Sequence, residues 1–451
     1  MKSKSIFILA TGLLFLGQSA SAQTGAVPSA LSSYIQTALE QNPEVMASRA
    51  RWKNVDAKVE EARSGLIPHL SFVSKFTDYS GGRILYFPGV GNFNATGLGI
   101  VPWDNHFEFS WPILNYGIWQ GMSISTAVRD ASTAEVSAKE LDVTERVAEA
   151  YYNYAKASEL VEIRKNAQAL ATENLRTANA LFSNDKVPKN DVLRAEVGVA
   201  MAEGDVLTAQ NMSSLARTNF NNLLKRDFDA EINLPKPEEI TALVHAGSDL
   251  AANDGQKYAM NLPPIREDID RAYATRPELV QLARNEDALN GAKKAAWSDF
   301  LPSIAIFGSY GWQEQTPKFS SDADLLLGGV QLQWNFFSGF GTTARVNEQE
   351  AQLEELRYQT EAAMNGIRLE IENARLEKVN AIDRLTIAQK QRTSAEENYR
   401  IVKAQYDNGM APLITLLDAQ TTLANAKANL TTTTYDVLIA DAKYRKALGT
   451  R

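Results

Sequence analysis

Residues 38–72 read ALEQNPEVMASRARWKNVDAKVEEARSGLIPHLSF, and residues 272–306 read AYATRPELVQLARNEDALNGAKKAAWSDFLPSIAI. The two stretches align without a gap. Pro43 meets Pro277, Glu44 meets Glu278 and Pro68 meets Pro302 at one constant offset. A repeat of this kind sets how the rest of a chain folds. It recurs twice more in the same order. FEFSWPILNYG at 107–117 matches VQLQWNFFSG at 330–339 and pairs Trp111 with Trp334. FSNDKVPKNDVLRAE at 182–196 matches YDNGMAPLITLLDAQ at 406–420 and pairs Pro188 with Pro412 and Ala195 with Ala419. The offset shifts slightly between blocks, which places the length differences in loops.

Each half has the order helix, strand, loop, strand, very long helix, turn, helix. Residues 29–65 are rich in Ala, Glu, Arg and Lys and read as helix. Pro68 and Pro302 end the first helices, because proline disfavours the helical region in the residue before it. The strands alternate. Phe107, Phe109, Trp111 and Ile113 oppose His106, Glu108 and Ser110, and Val330, Leu332, Trp334 and Phe336 oppose Gln331, Gln333 and Asn335. Leu70, Phe72 and Phe76 oppose Ser71, Lys75 and Thr77, with Val73 as an exception. Ile304, Ile306, Tyr310 and Trp312 oppose Ser303, Ser309 and Gln313, with Phe307 as an exception. Alternation with bulky apolar and aromatic groups on one face suits a membrane barrel strand, and runs of about 9–11 residues cross a bilayer when tilted. A soluble sheet with one wet face alternates in the same way.

The helices that follow are too long for a compact domain. From Gly117 to Leu181 there is no proline and one further glycine, Gly121; residues 342–405 are interrupted only by Gly366. At 1.5 Å per residue each spans on the order of 100 Å. Proline-bearing turns at 183–188 and 407–412 fold them back, with Pro188 and Pro412 expected in the first turn of the returning helix. The chain therefore divides into a first repeat at 23–225 with a β-hairpin at about 69–114, a connector at 226–264, and a second repeat at 265–451 with a hairpin at about 302–337. The connector carries Pro235, Pro237, Pro263 and Pro264 and reads as mostly irregular, with a short helix around Glu238 to His245.

The N-terminus reads as an export signal, residues 1–22. Lys2 and Lys4 precede an apolar run from Ile6 to Leu16, and Ala20-Ser21-Ala22 is a small-residue site, so cleavage after Ala22 is expected. Beyond it no stretch approaches the ~20 apolar residues a spanning helix needs. The 451 residues contain no cysteine, which excludes disulfides, thiol catalysis and thiolate metal sites. A net charge of −8 argues against a nucleic-acid partner, which would call for a basic face. Four strands cannot close a barrel, and open edges in lipid leave backbone groups unsatisfied at several kcal/mol each. Several chains must pool their strands; how many is not decided by that argument.

The two-fold repeat, WPILNYG and WNFFSGFG after the outgoing strands, and the final YDNGMAPLITLLDAQTTLANAKANL…ALG resemble the TolC family of outer-membrane efflux proteins, from about Leu31 to Gly449. The resemblance implies a mixed α and β membrane protein, a homotrimer whose protomers build one 12-stranded β-barrel continued by an α-helical barrel. It implies an exit duct of an efflux pump or type I secretion system, embedded in outer-membrane lipid. The helical part extends into the periplasm and is gated at its tip, which docks a periplasmic adaptor (membrane fusion) protein and an inner-membrane transporter. Asp191 and Tyr406 match positions of the family's closing network, and Asp418 matches one aspartate of its acidic entrance ring; Thr415 replaces the other, and Ala411 stands where an arginine is usual. The adaptor-docking turns would be Asp185, Lys186, Val187 and Pro188, and Gly409, Met410, Ala411 and Pro412, with Asp185 replacing the first of two characteristic glycines.

Blander readings stand beside these. Asp191 also stabilises a helix start by its charge, and Asp418 also suits a solvated helix face. His69, His106 and His245 are scattered and lack metal-site spacing. No catalytic constellation, cofactor motif or metal motif is expected; the glycines of 81–99 read as a loop between strands. A trimeric surface adhesin or structural coiled-coil protein is the alternative, though adhesins of that kind collect their strands at the C-terminus. A periplasmic enzyme is the third class.

Overall fold

A computed structural model describes residues 28–76, 84–87, 91–94, 103–247, 263–314 and 324–450. The expected signal peptide at 1–22, most of the 81–99 loop and connector residues 248–262 lie outside the described residues.

The first repeat contains α1 (Ser29–Gln41), α2 (Pro43–Ser64), β1 (His69–Phe76), β2 (Ile84–Phe87), β3 (Gly91–Asn94), β4 (Trp103–Leu114), α3 (Tyr116–Ser183) and α4 (Lys189–Leu223). Then come α5 (Pro237–Gly247), α6 (Ile265–Thr275), α7 (Pro277–Trp297), β5 (Ser303–Glu314), β6 (Asp324–Gln333), α8 (Gly341–Asp407) and α9 (Leu413–Ala447). Three sequence readings need correction. The helix expected over 29–65 is two helices. Asn42 before Pro43 is extended (ψ 127°), and its side chain accepts from the Glu44 N–H at 2.9 Å, so one residue ends α1 and caps α2. The second hairpin ends at Gln333 rather than near 337. The 81–99 loop contains the short antiparallel pair β2–β3.

The main sheet has the order β1-β4-β5-β6, all antiparallel, with Phe72 opposite Phe107, Phe107 opposite Tyr310 and Ile306 opposite Val330. One face thus collects Leu70, Phe72, Phe107, Phe109, Trp111, Ile304, Ile306, Val330 and Leu332. Of the two exceptions to alternation, Phe307 is accommodated by a glycine. A Cβ on Gly329 would meet the Phe307 ring at 3.1 Å, so that ring lies over bare backbone on the opposite face. A Cβ on Gly311 would meet His106 Cβ at 2.3 Å, so only glycine fits beside His106. Pro112, which cannot donate to the ladder, sits at a register shift near the end of β4. Edge strands β1 and β6 have open outer sides within the chain, with Leu70 72% and Leu326 79% exposed.

The helices α3, of 68 residues, and α8, of 67, run the length of the molecule, each on the order of 100 Å. Next to the sheet they pack with α2 and α7; beyond the middle they pack with α4 and α9, in the order α4-α3-α9-α8. Where the partners change, α1, α5 and the connector wrap a core around Tyr151, Phe220, Leu224, Val437 and Ile382. The repeat carries through to single contacts. Trp111 Nε1 donates to the Leu66 carbonyl at 3.1 Å and Trp334 Nε1 to the Phe300 carbonyl at 3.0 Å, so each matched tryptophan braces its own helix-to-strand corner. Asn42 reaches the end of α4 through the Leu223 carbonyl (3.0 Å), and its counterpart Arg276 reaches the end of α9 through the Lys446 carbonyl (3.2 Å).

Candidate functional site at the tip of the helical hairpins

Both hairpins turn by the same device. Asp185 (φ 57°) and Gly409 (φ 71°) follow α3 and α8 in the left-handed conformation. The next N–H reaches back to close the helix, Lys186 to Leu181 O at 2.9 Å and Met410 to Gln405 O at 2.8 Å. This gives the family's turn glycine its physical reason: the position lies where a Cβ is strained. Asp185 occupies that conformation without glycine's freedom, as aspartate more readily does than most residues. Pro188 and Pro412 stand at the N-cap in extended conformation, one position earlier than expected. Asp185, Lys186, Pro188, Gly409, Met410 and Pro412 are exposed, and Val187 and Ala411 are half-buried.

Behind the turns, all four helices meet in an apolar cluster of Ala178, Val192, Ala195, Val402, Tyr406, Leu413, Leu416 and Ala419. Tyr406 is 2% exposed, and its hydroxyl has no hydrogen-bond partner among the described residues. Burial pushes its ionisation up, and the nearby carboxylates of Asp191 and Asp407 push it further. The structure therefore brings Asp191, in the first turn of α4, close to the end of α8. Asp418 lies apart from them, exposed on α9, and takes part in no ion pair among the described residues. Its repeat counterpart Arg194 is exposed on α4 and does not pair with it within one protomer. Arg194 lines a groove of about 650 Å³ between α4 and α9, walled by Leu193, Val197, Met201, Ile414 and Leu417.

Sequence reading missed a buried amide pair one turn deeper. Asn174 of α3 and Gln420 of α9, 2% and 7% exposed, hydrogen-bond to each other, and Gln420 Nε2 also donates to the Ala167 carbonyl at 3.0 Å. Two amides inside an apolar helix seam must satisfy one another, which fixes the register of α9 on α3. Only the quoted Gln420 of the C-terminal block hinted at it. Higher up, Lys378 pairs with Asp441 at 2.8 Å, and Lys446 lies between Asp142 (3.0 Å) and Glu145 (3.4 Å). These pairs join α8 to α9 and α9 to α3. Among the described residues no cluster of His, Cys, Asp or Glu could hold a metal ion, and no helix is long and apolar enough to cross a membrane.

A sheet with one apolar face and two open edges, extended by long helical hairpins, is the architecture of a membrane-anchored channel protomer. The chain belongs to the outer membrane efflux protein family, which it matches over residues 34–224 and 269–450. It is 22% identical to outer membrane protein TolC of Escherichia coli strain K12 over 439 residues, 93% of this chain and 82% of that one. The fold is that of the outer membrane protein VceC of Vibrio cholerae (TM-score 0.74, 17% identity, 93% of this chain and 96% of that one). It is also that of the open-state MtrE outer membrane channel of Neisseria gonorrhoeae (TM-score 0.72, 19% identity, 93% and 89%). The protein is an outer-membrane efflux channel, a transport protein rather than an enzyme, from a family of trimeric efflux-pump components.

Proposed function

We propose that the chain forms a homotrimer whose periplasmic tip is a gate and a docking platform for a periplasmic adaptor and an inner-membrane transporter. One observation carries association of several copies most directly, and the number three is taken from the family. The sheet ends in the open edges β1 and β6, and the helical layer ends in α4 and α8, which expose Leu193, Val197, Met201, Leu207, Met212 and Leu215 on one side and Tyr358, Leu369, Leu376, Ile387 and Ile401 on the other. Apolar edges of this length are covered when copies stand side by side, and pooled strands leave no edge in lipid. Asp191 and Tyr406 then close the tip from within each protomer. Asp418, without an ionic partner among the described residues, contributes one carboxylate per protomer to the entrance. The exposed turns at 185–188 and 409–412 present the docking surface. Residues 1–22 are the export signal and 226–264 the equatorial connector.

Like charges around a narrow opening with low-dielectric walls concentrate counter-cations. Thr415 leaves the ring with half the carboxylates of the family pattern, so block by multivalent cations should be weak but measurable. The test is conductance in planar bilayers with trivalent cations added from the helical side, wild type against Asp418→Ala. Block of the wild type that disappears in the variant supports the ring. An unaffected wild type, or equal block of both, assigns Asp418 to a solvated face. Mass measurement in mild detergent tests the trimer independently, and a stable monomer overturns it.

A further inference from the structure

Asp104, His106 and Glu108 stand in one row along β4, on the sheet face opposite Phe107, Phe109 and Trp111. The imidazole lies along the strand between the two carboxylates. Its Nδ1 is 3.0 Å from Asp104 Oδ1, and its Nε2 is 2.9 Å from Glu108 Oε1. Ionised carboxylates only accept, so both contacts are hydrogen bonds when both ring nitrogens carry a proton. The neutral ring has a single donor and turns a lone pair toward the other carboxylate. Room for the ring comes from Gly311, its neighbour on β5, where a Cβ would collide with His106. On β1 the neighbour is Val73. Few other charged groups share this face. Lys75 of β1 stands opposite Asp104, and His69 of β1 stands opposite Ser110. On β5, Gln313 and Ser309 stand opposite Asp104 and Glu108. Glu314 of β5 and Asp324 of β6 pair with Trp103 and Trp312, on the other face.

We infer that His106 is a proton-operated selectivity element of the duct: protonated, it neutralises the row it lies in, and without its proton it leaves the barrel interior net negative and favouring cations. The inference rests on the trimeric-duct reading, which turns this face toward the lumen. With the imidazolium in place, His106 and Lys75 balance Asp104 and Glu108. Without that proton a net negative charge remains in every protomer, and the copies add around the closed barrel. Low-dielectric walls focus such a field on the ions that pass. Histidine is the side chain whose ordinary titration falls between about pH 5 and about pH 8. The His106 side chain is 21% exposed, so lumen water can exchange its proton. Rising pH removes the proton, so the preference for cations grows as pH rises.

The reversal potential of the purified channel in planar bilayers, under a potassium chloride gradient, gives the cation-to-anion permeability ratio. The Debye length is about 30 Å at 0.01 M salt and about 3 Å at 1 M, so the effect should be clear in dilute salt and fade in concentrated salt. In dilute salt the wild-type ratio should rise severalfold from about pH 5 to about pH 8. His106→Gln should hold the high-pH ratio throughout, and His106→Lys the low-pH ratio. His69→Gln should keep the wild-type rise. A wild-type ratio that is flat with pH, or a rise that survives in His106→Gln, overturns the proposal. A second measurement follows the ring directly, by nitrogen-15 spectra of histidine-labelled protein in detergent, with the His106 signals assigned by their loss in His106→Gln. The ring should pass from two protonated nitrogens to one over the same pH interval in which the reversal potential moves; a ring that does not titrate there overturns the proposal. Wild-type protein that forms no conducting channel overturns the duct reading itself, whereas a conducting channel without the pH dependence overturns this proposal alone.

Discussion

Tyr406→Phe separates the two roles open to Tyr406. The ring packs among Val402, Leu413 and Leu416 in the tip cluster, and phenylalanine keeps that packing. What the substitution removes is one buried hydroxyl that has no partner among the described residues. If the hydroxyl stays unpaired in the closed trimer, its removal relieves a desolvation cost of about 1–3 kcal/mol, and the closed state is as stable as before or more so. If the closed tip lets it donate to the Asp191 carboxylate, the loss is that of a hydrogen bond to a charged group, about 1.5–3 kcal/mol. At about 1.4 kcal/mol per factor of ten, the closed–open equilibrium then moves roughly ten- to a hundredfold toward open for each protomer. The proposed gate requires the second outcome. Open probability in planar bilayers is the readout. Asp191→Asn should move it in the same direction, and the double variant should fall short of the sum of the two, because both remove one interaction. An open probability of Tyr406→Phe equal to or below that of the wild type refutes the gating role and leaves Tyr406 as a packing residue.

Other consequences follow from single positions. Gly409→Ala puts a Cβ on a left-handed residue in open space, so the cost is conformational, about 1 kcal/mol, while Asp185→Gly should stabilise its turn by a few tenths to about 1 kcal/mol; hydrogen exchange at 183–188 and 407–412 reads both. Burial raises the pKa of Glu145 above its ordinary 4.5, so its ionisation costs stability increasingly as pH rises past that value, and Glu145→Gln should leave Tm at neutral pH unchanged or higher. Burial also pushes Asp142 up, but Lys446, Arg146 and Lys139 outweigh it and hold its pKa below 3.8. Its contribution is therefore present at neutral pH and lost as pH falls through that lowered value, and Asp142→Asn should lower Tm at neutral pH with a gap that closes in strong acid. The protein recovered from the outer membrane should begin at Gln23, and N-terminal sequencing that finds Met1 retained contradicts the export signal.

The sequence by itself determined the repeat, the two β-hairpins, the two long helices with their proline turns, and the need for more than one chain. These rest on periodicity, on the lengths of uninterrupted helix and on the solvation of backbone in lipid, all properties of local sequence. It also carried a signal that went unused, since Pro43 forbids the continuous helix read over 29–65. Tertiary structure decided what the matched residues are for. Trp111 and Trp334 align in sequence, but that each braces the helix-to-strand corner before the neighbouring strand of its hairpin depends on two segments meeting. The left-handed positions pair across the repeat as Asp185 with Gly409 and Lys225 with Gly449, and the first half uses no glycine at either, so composition could not reveal them. Phe307 looked like a break in alternation until Gly329 on the next strand proved to make room for it. The Asn174–Gln420 seam and the Lys378–Asp441 pair join residues far apart in the chain. Nothing in a local pattern distinguishes such residues from solvated polar ones, because their partners are chosen by the packing of α3, α8 and α9 rather than by their neighbours in sequence.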